Sequence, residues 1–397
     1  MDFELVKPSF PRTLSPRSSL ESFASQQHDN DHQASPIRQG GANFLRTESP
    51  SSFLSSGVSE KDGAALNRKP SPSSIAQSDV LSPSDIDAHR NRELKWVLLM
   101  STLDPTQARK SKKVKKLLLD GVPASVRYQV WAHLADCKGK RMNGLYPQLV
   151  KRGAVPATPA IIRDGADRFG DQPQGKDGSI VSVLQAYLTM VPDVQYHIAL
   201  TCIVGQLLAQ SPEEDAFWIF ISMMDSYLRP YFSSSVVQLD FDATLFANAL
   251  ETNDAPLAKR IFVDMSIPPL TICRQWFCSL FYDTIPAEYH LRVWDVFLFE
   301  GVPFLFRVGL ALFACCRRPL LEAQSRDRAL SILSQVPLQC LPPNGDTLIE
   351  LAISKKLKDD DVRKARNKVE TKKKRTISTR LLKSSTNPGT PISLPRG

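Results

Sequence analysis

The sequence predicts an all-α fold, a multi-helix domain flanked by disordered tails, and three observations carry that reading. Large apolar residues recur at helical spacing from about residue 91 to 335. Proline, acidic residues and small capping residues stand where new periodic segments begin, and Gly or Pro follows where they end. No segment alternates as a strand or pairs as a β-hairpin, and strands and helices do not alternate along the chain.

The elements follow in order. Residues 91–100 carry Leu94, Trp96, Val97, Leu98, Leu99 and Met100. A basic amphipathic helix over 111–119 stops at Asp120-Gly121. Residues 124–137 place Val126, Val130, Trp131 and Leu134 at helical spacing, with Pro123 near the start. A helix over 181–190 ends before Pro192, and a long apolar one spans 194–210. Ser211-Pro212-Glu213-Glu214 then supplies a cap, a proline and acids suited to a helix N-terminus. Further helices are predicted over 241–250, 256–265, 270–282, 287–299, 303–316 and 320–335.

Residues 1–88 are rich in Ser, Pro, Asn, Gln and Gly and cannot bury enough apolar surface to offset their conformational entropy, so they read as a disordered tail. Ser-Pro pairs recur there at Ser15, Ser35, Ser49, Ser71 and Ser82. Phosphorylation would add roughly −1.5 to −2 charges at each, although a Ser/Pro-rich linker yields several such pairs by composition alone. The helical domain is assigned to 89–340, followed by a basic, partly helical C-terminal tail over 341–397. Between Lys355 and Lys383 stand 13 Lys and Arg against 4 Asp and Glu, an excess equal to the +9 of the whole chain. Basicity confined to one end argues against nucleic-acid binding. It suggests either a solvated arm or, through Lys372-Lys-Lys-Arg375, attachment to an anionic membrane surface or nuclear import.

Seven cysteines, an odd number without a CxxC pair, suggest reduced thiols and a cytoplasmic protein. The first residues lack the apolar stretch of a secretory signal, and no apolar run is long enough to predict a transmembrane helix. Neither His133 with Cys137 nor His290 with its acidic neighbours offers a complete metal-ligand set, and GxSxG and GxxxxGK[ST] are absent.

Several blocks, in order, carry a family resemblance. They are Gly121-Val-Pro123 with Arg127-Tyr-Gln-Val-Trp131, Ile161-Ile-Arg-Asp164 reaching Phe169, and Pro192-Asp-Val194-Gln-Tyr196. Pro212 to Trp218, Gln275-Trp276-Phe277, Leu291-Arg292-Val-Trp294-Asp295 and Glu300-Gly301-Val302 complete the set. Together they resemble the TBC domain of Rab GTPase-activating proteins. That resemblance implies a TBC-type helical domain that docks a Rab-family small GTPase in vesicle traffic, peripheral on membranes. It also implies no cofactor of its own, since GTP and Mg²⁺ come with the partner. In that family an Arg in IxxDxxR and a Gln in YxQ act in trans on the bound GTPase.

Anchored on Asp164 and Phe169, the arginine position falls on Asp167, with Arg168 one residue late. Anchored on Pro192 and Tyr196, the glutamine position falls on Ile198. If the segment is helical, the one-residue displacement turns Arg168 by about 100° about the axis. Gln195 stands on the wrong side of Tyr196, and Gln206 is about two turns further on. Two functions remain open: a GTPase activator using a displaced Arg168, or a catalytically inactive scaffold that binds a Rab or another partner. Arg127, Trp131, Trp294 and Asp295 read as fold-holding residues. Asp164 reads either as orienting the segment of Arg168 or as a helix cap, and His197 as a packed side chain rather than a base.

Overall fold

The computed structural model describes residues 83–233 and 237–368; residues 1–82, with the first five Ser-Pro serines, and the run Lys372–Arg375 lie outside them. Within the described residues the backbone is helical throughout, apart from connecting turns and an isolated antiparallel bridge between Val194 and Ser233.

The longer helices are α1 (Pro83–Thr102), α2 (Lys112–Asp120), α3 (Arg127–Leu134), α4 (Thr158–Phe169), α5 (Ser179–Met190), α6 (Ile198–Leu208) and α7 (Glu213–Met223). They continue as α8 (Val237–Asn253), α9 (Pro269–Cys278), α10 (Ala287–Glu300), α11 (Val302–Cys315), α12 (Arg326–Ser334) and α13 (Gly345–Ile353). Local chemistry sets many of their ends. Ser111 caps α2 by accepting from the Val114 amide, and Gly121 closes it at φ +103°, a conformation a side chain would resist. Acids fill the first turn of α7, where they complement the helix dipole.

Helices α5, α6, α7 and α11 are apolar nearly all round, so they must be buried on most sides. In one half of the fold α6 packs against α4, α5 and α7. In the other half α8 packs on α9, while α10 and α11 are covered by α13. Phe246 of α8 sits among Trp276, Phe277, Phe306 and Phe313, with ring centroids 5.7–6.2 Å away. Such tilted and edge-on contacts add to the burial of the rings.

A polar knot joins the N-terminal and C-terminal helices of the domain. Asp295 on α10 is fully buried, yet one oxygen accepts from Trp131 Nε1 at 2.8 Å and Arg127 Nε at 3.2 Å. Its other oxygen accepts from Arg292 Nη1 at 3.1 Å. Arg127 also donates to the Val122 carbonyl, and Arg292 to the Leu118 carbonyl and to Asp346. The knot therefore ties α3 and the end of α2 to α10 and α13. Burial holds the Asp295 carboxyl above the usual carboxylate value, with the two guanidiniums opposing that shift.

Several predicted boundaries are corrected by the packing. Helix α1 begins at Pro83, inside the stretch assigned to the tail. The helix predicted over 194–210 starts only at Ile198, because residues 194–197 are extended and pair with the chain near Ser233. The helix over 270–282 ends at Cys278, and the one over 320–335 breaks into Arg317–Glu322 and α12.

The largest correction is at the C-terminus. Asn344 caps α13, whose Leu348, Ile349 and Ala352 are buried, so the packed domain continues past residue 340. Arg307 of α11 donates to the carbonyls of Ile353 and Leu357 and pairs with Asp359 at 2.7 Å. A final helical stretch, 359–368, brings Arg366 onto buried Asp242 and over the Tyr231 ring. Some of the charge assigned to a free basic arm is thus spent inside the fold.

Replacing Asp295 with Ala should cost roughly 3–5 kcal/mol, because it leaves two guanidiniums and an indole N–H without their buried acceptor. Urea unfolding of wild type and Asp295→Ala measures this; a loss below about 1 kcal/mol would show that the knot holds little.

Candidate functional site

The two segments on which the resemblance places the finger positions meet at one joint. Asp164 lies in the middle of α4, so it caps no helix. Its carboxylate accepts from the Tyr196 hydroxyl at 2.8 Å and from Arg163 at 2.9 Å. Tyr196 in turn shares a 2.8 Å hydrogen bond with Thr201 in α6. Burial above all, with Asp164 adding to it, pushes the Tyr196 phenol up, so it stays a neutral donor. Asp164, Tyr196 and Thr201 thereby fix the extended strand of residues 194–197 against α4.

His197 is exposed and ends that extended stretch. Its Nδ1 accepts from the Ala199 amide at 3.1 Å, so it is the N-cap of α6, and its ring lies 6.2 Å from that of Phe232. Ile198, half-exposed, is then the first residue of α6. Asp167 and Arg168 lie in the last turn of α4, both exposed. Since that segment is α-helical, Arg168 does point about 100° away from Asp167. Its Nη1 meets Asp283 Oδ1 at 2.7 Å. Next to it, Phe169 is buried against Gly205 of α6, where an added Cβ would overlap the ring. Gln195 is exposed, while Gln206 is buried on α6.

Asp283 arrives by way of an unusual turn. After α9, Leu280 and Phe281 adopt φ of +52° and +64°, left-handed values that side chains disfavour. Both residues are completely buried, and the Leu280 carbonyl accepts from Trp294 Nε1 at 3.0 Å. That burial over-determines the strained backbone and sets Tyr282, Asp283 and Thr284 beside α4. Between this turn, α6 and the chain after α12 lies a cavity of about 790 Å³, lined by Gln172, Gln206, Asp283, Thr284, His290 and Gln335 among others.

Residues 124–321 match the family model for the Rab-GTPase-TBC domain. The chain belongs to the TBC-domain family. It is 30% identical over 268 residues to TBC1 domain family member 10B of Mus musculus, covering 64% of this chain and 34% of that protein. To TBC1 domain family member whacked of Drosophila melanogaster it is 30% identical over 231 residues, covering 56% and 63%. Among solved structures, the Chlamydomonas flagellar RabGAP TBC domain superposes with a TM-score of 0.53 at 24% identity, covering 69% of this chain and 96% of that one. That likeness is one of fold. The chain spans about a third of the length of the first curated relatives it matches.

Asp167 is exposed and Ile198 half-exposed, with Arg168 turned toward Asp283. Sequence reasoning passed over Asp283, Thr284 and the cavity. Asp283 is 115 residues from Arg168, and only Pro286 marks the start of the next helix; nothing local signals the left-handed turn between them.

His290 is 3% exposed, and its ring lies against the backbone of Ile285 and Pro286. Burial pushes its imidazole down to about 4 from 6.5. Between those values the unfolded chain binds more protons, so stability should fall as the pH drops from 6.5 toward 4, by on the order of 3 kcal/mol. Urea midpoints across this range should show less loss in His290→Phe than in wild type; parallel curves would exclude His290 as the source.

Proposed function

We propose that this chain binds a Rab-type GTPase and accelerates its GTP hydrolysis, with Arg168 as the only finger. The observation that carries the reading is the position of Arg168: the last turn of α4, partly exposed, beside the Asp164–Tyr196 joint. A small GTPase alone is slow because the charge on the transferring phosphoryl group is not neutralised and its water is poorly held. A guanidinium supplied in trans is worth roughly 10³–10⁵ in rate. Ile198 cannot orient water, so that task falls to the GTPase's own glutamine. Mg²⁺ and GTP belong to the partner, and the chain brings no cofactor.

A second reading, a non-catalytic TBC scaffold that holds a Rab or another partner, is favoured by one specific feature. Asp167 presents a carboxylate where positive charge is needed, while Arg168 is held by Asp283. The proposed setting of either activity is vesicle traffic in the cytoplasm, peripheral on membranes. Attachment to an anionic surface would fall to Lys372–Arg375, since Arg363 and Arg366 already bond to Glu300 and Asp242.

Single-turnover hydrolysis across a Rab panel, with this chain in excess, separates the two. Stimulation is expected on at least one member, and Arg168→Ala should remove about 10²-fold or more of it. Replacing the GTPase's own glutamine with Leu should remove it too. Binding without any rate change on every member decides for the scaffold.

A further inference from the structure

We infer that the cavity beside Asp283 is a receptor for a basic side chain of a bound protein, and that its occupant competes with Arg168 for Asp283. The effect on hydrolysis rests on the function proposed above; the binding does not.

The chemistry of the lining selects the ligand. Thr284 Oγ1 is buried on a lining residue and has no hydrogen-bond partner among the described residues, and the neutral ring of His290, also in the lining, has one acceptor nitrogen. Buried polar atoms left unpaired are costly, so they mark a place where a ligand completes the bonding. Gln206 and Gln335 add amide oxygens to this set, while that of Gln172 already accepts from Gln174 Nε2. Asp283 is the lining's one carboxylate, and the lining contains no Lys or Arg. With His290 neutral above its depressed pKa, the walls offer acceptors and negative charge, which suits an ammonium or guanidinium and disfavours an anion.

Asp283 already holds one cation, since Arg168 meets it from the α4 side at 2.7 Å. Both side chains are over a third exposed, so the pair is solvated enough to exchange partners. The left-handed turn at Leu280 and Phe281, held by burial and by Trp294, places Asp283 between the cavity and α4. A lysine or arginine entering the cavity therefore competes with Arg168 for Asp283. Arg168 released in this way is free to reach a bound nucleotide.

The test uses the full chain with 15N-labelled arginine, reading the Arg168 Nε–Hε signal, which Arg168→Lys identifies by its loss. In Asp283→Asn that signal should move to the position of an unpaired arginine. Nα-acetyl-arginine amide should drive the wild-type signal the same way, whereas Nα-acetyl-norleucine amide should not. Ala287→Trp, a change at an exposed lining residue, should block the response. An Arg168 signal unmoved by the arginine probe, or moved equally by norleucine, overturns the proposal. In the hydrolysis assay Asp283→Asn should raise stimulation about tenfold, with Arg168→Ala cancelling the gain. If the arginine probe shifts Arg168 but hydrolysis stays at the intrinsic rate in every variant, the receptor stands and the activating function fails.

Discussion

A carboxylate removed from water must be compensated or neutralised, and in this domain the compensation of Asp295 sets the arrangement of everything around it. Two guanidiniums and an indole N–H converge on it from α3 and α10, and the same guanidiniums reach on to the carbonyls of Leu118 and Val122 and to Asp346. No subset of these groups is satisfied alone. Compensation of the buried charge therefore depends on α3 being docked on α10, and the Arg292–Asp346 pair extends the link to α13.

The knot extends to the candidate site through Trp294, the residue before Asp295. Its ring lies 5.6 Å from Trp131, and its Nε1 holds the Leu280 carbonyl. That hydrogen bond anchors the left-handed turn which delivers Asp283 to Arg168. On the other side, the Asp164–Tyr196 bond and the Phe169–Gly205 contact fasten α4 to α6. The rim where Arg168 sits is thus positioned by buried contacts on both flanks, while its own ion pair is left solvated. Rigid support with a weakly held side chain is an arrangement suited to a residue that changes partners.

Much of the fold was legible in the sequence for particular reasons. Helices α5, α7, α10 and α11 are long, apolar at 3.6-residue spacing, and bounded by Pro or Gly, so periodicity located them, whereas α4 was not predicted. Errors fell where long-range pairing competes with local preference. Residues 194–197 look like the start of an apolar helix, but the Gln195 amide bonds to the Phe232 carbonyl and Tyr196 to Asp164, and those bonds keep them extended. Residues 345–366 look like the approach to a basic tail because their charge conceals Leu348, Ile349 and Ala352 on one face and an Arg366 that reaches Asp242. At the site, Asp164, Arg168 and Tyr196 could be named from motif spacing, whereas Asp283 and Thr284 could not.

By itself the sequence determined the helical class, the family, and the places, Asp167 and Ile198, on which the motif spacing sets the two finger positions. Those are matters of residue identity and of spacing within one segment, where the geometry of a helix turns a number into an angle. Only the tertiary structure decided that Arg168 has a partner, that the partner is Asp283, and that a cavity with unpaired polar walls lies behind it. Hydrogen bonds and ion pairs between residues more than a hundred positions apart depend on how whole helices pack, and on a strained turn that burial alone stabilises. No local pattern encodes that burial, so the chemistry of this site belongs to the folded domain.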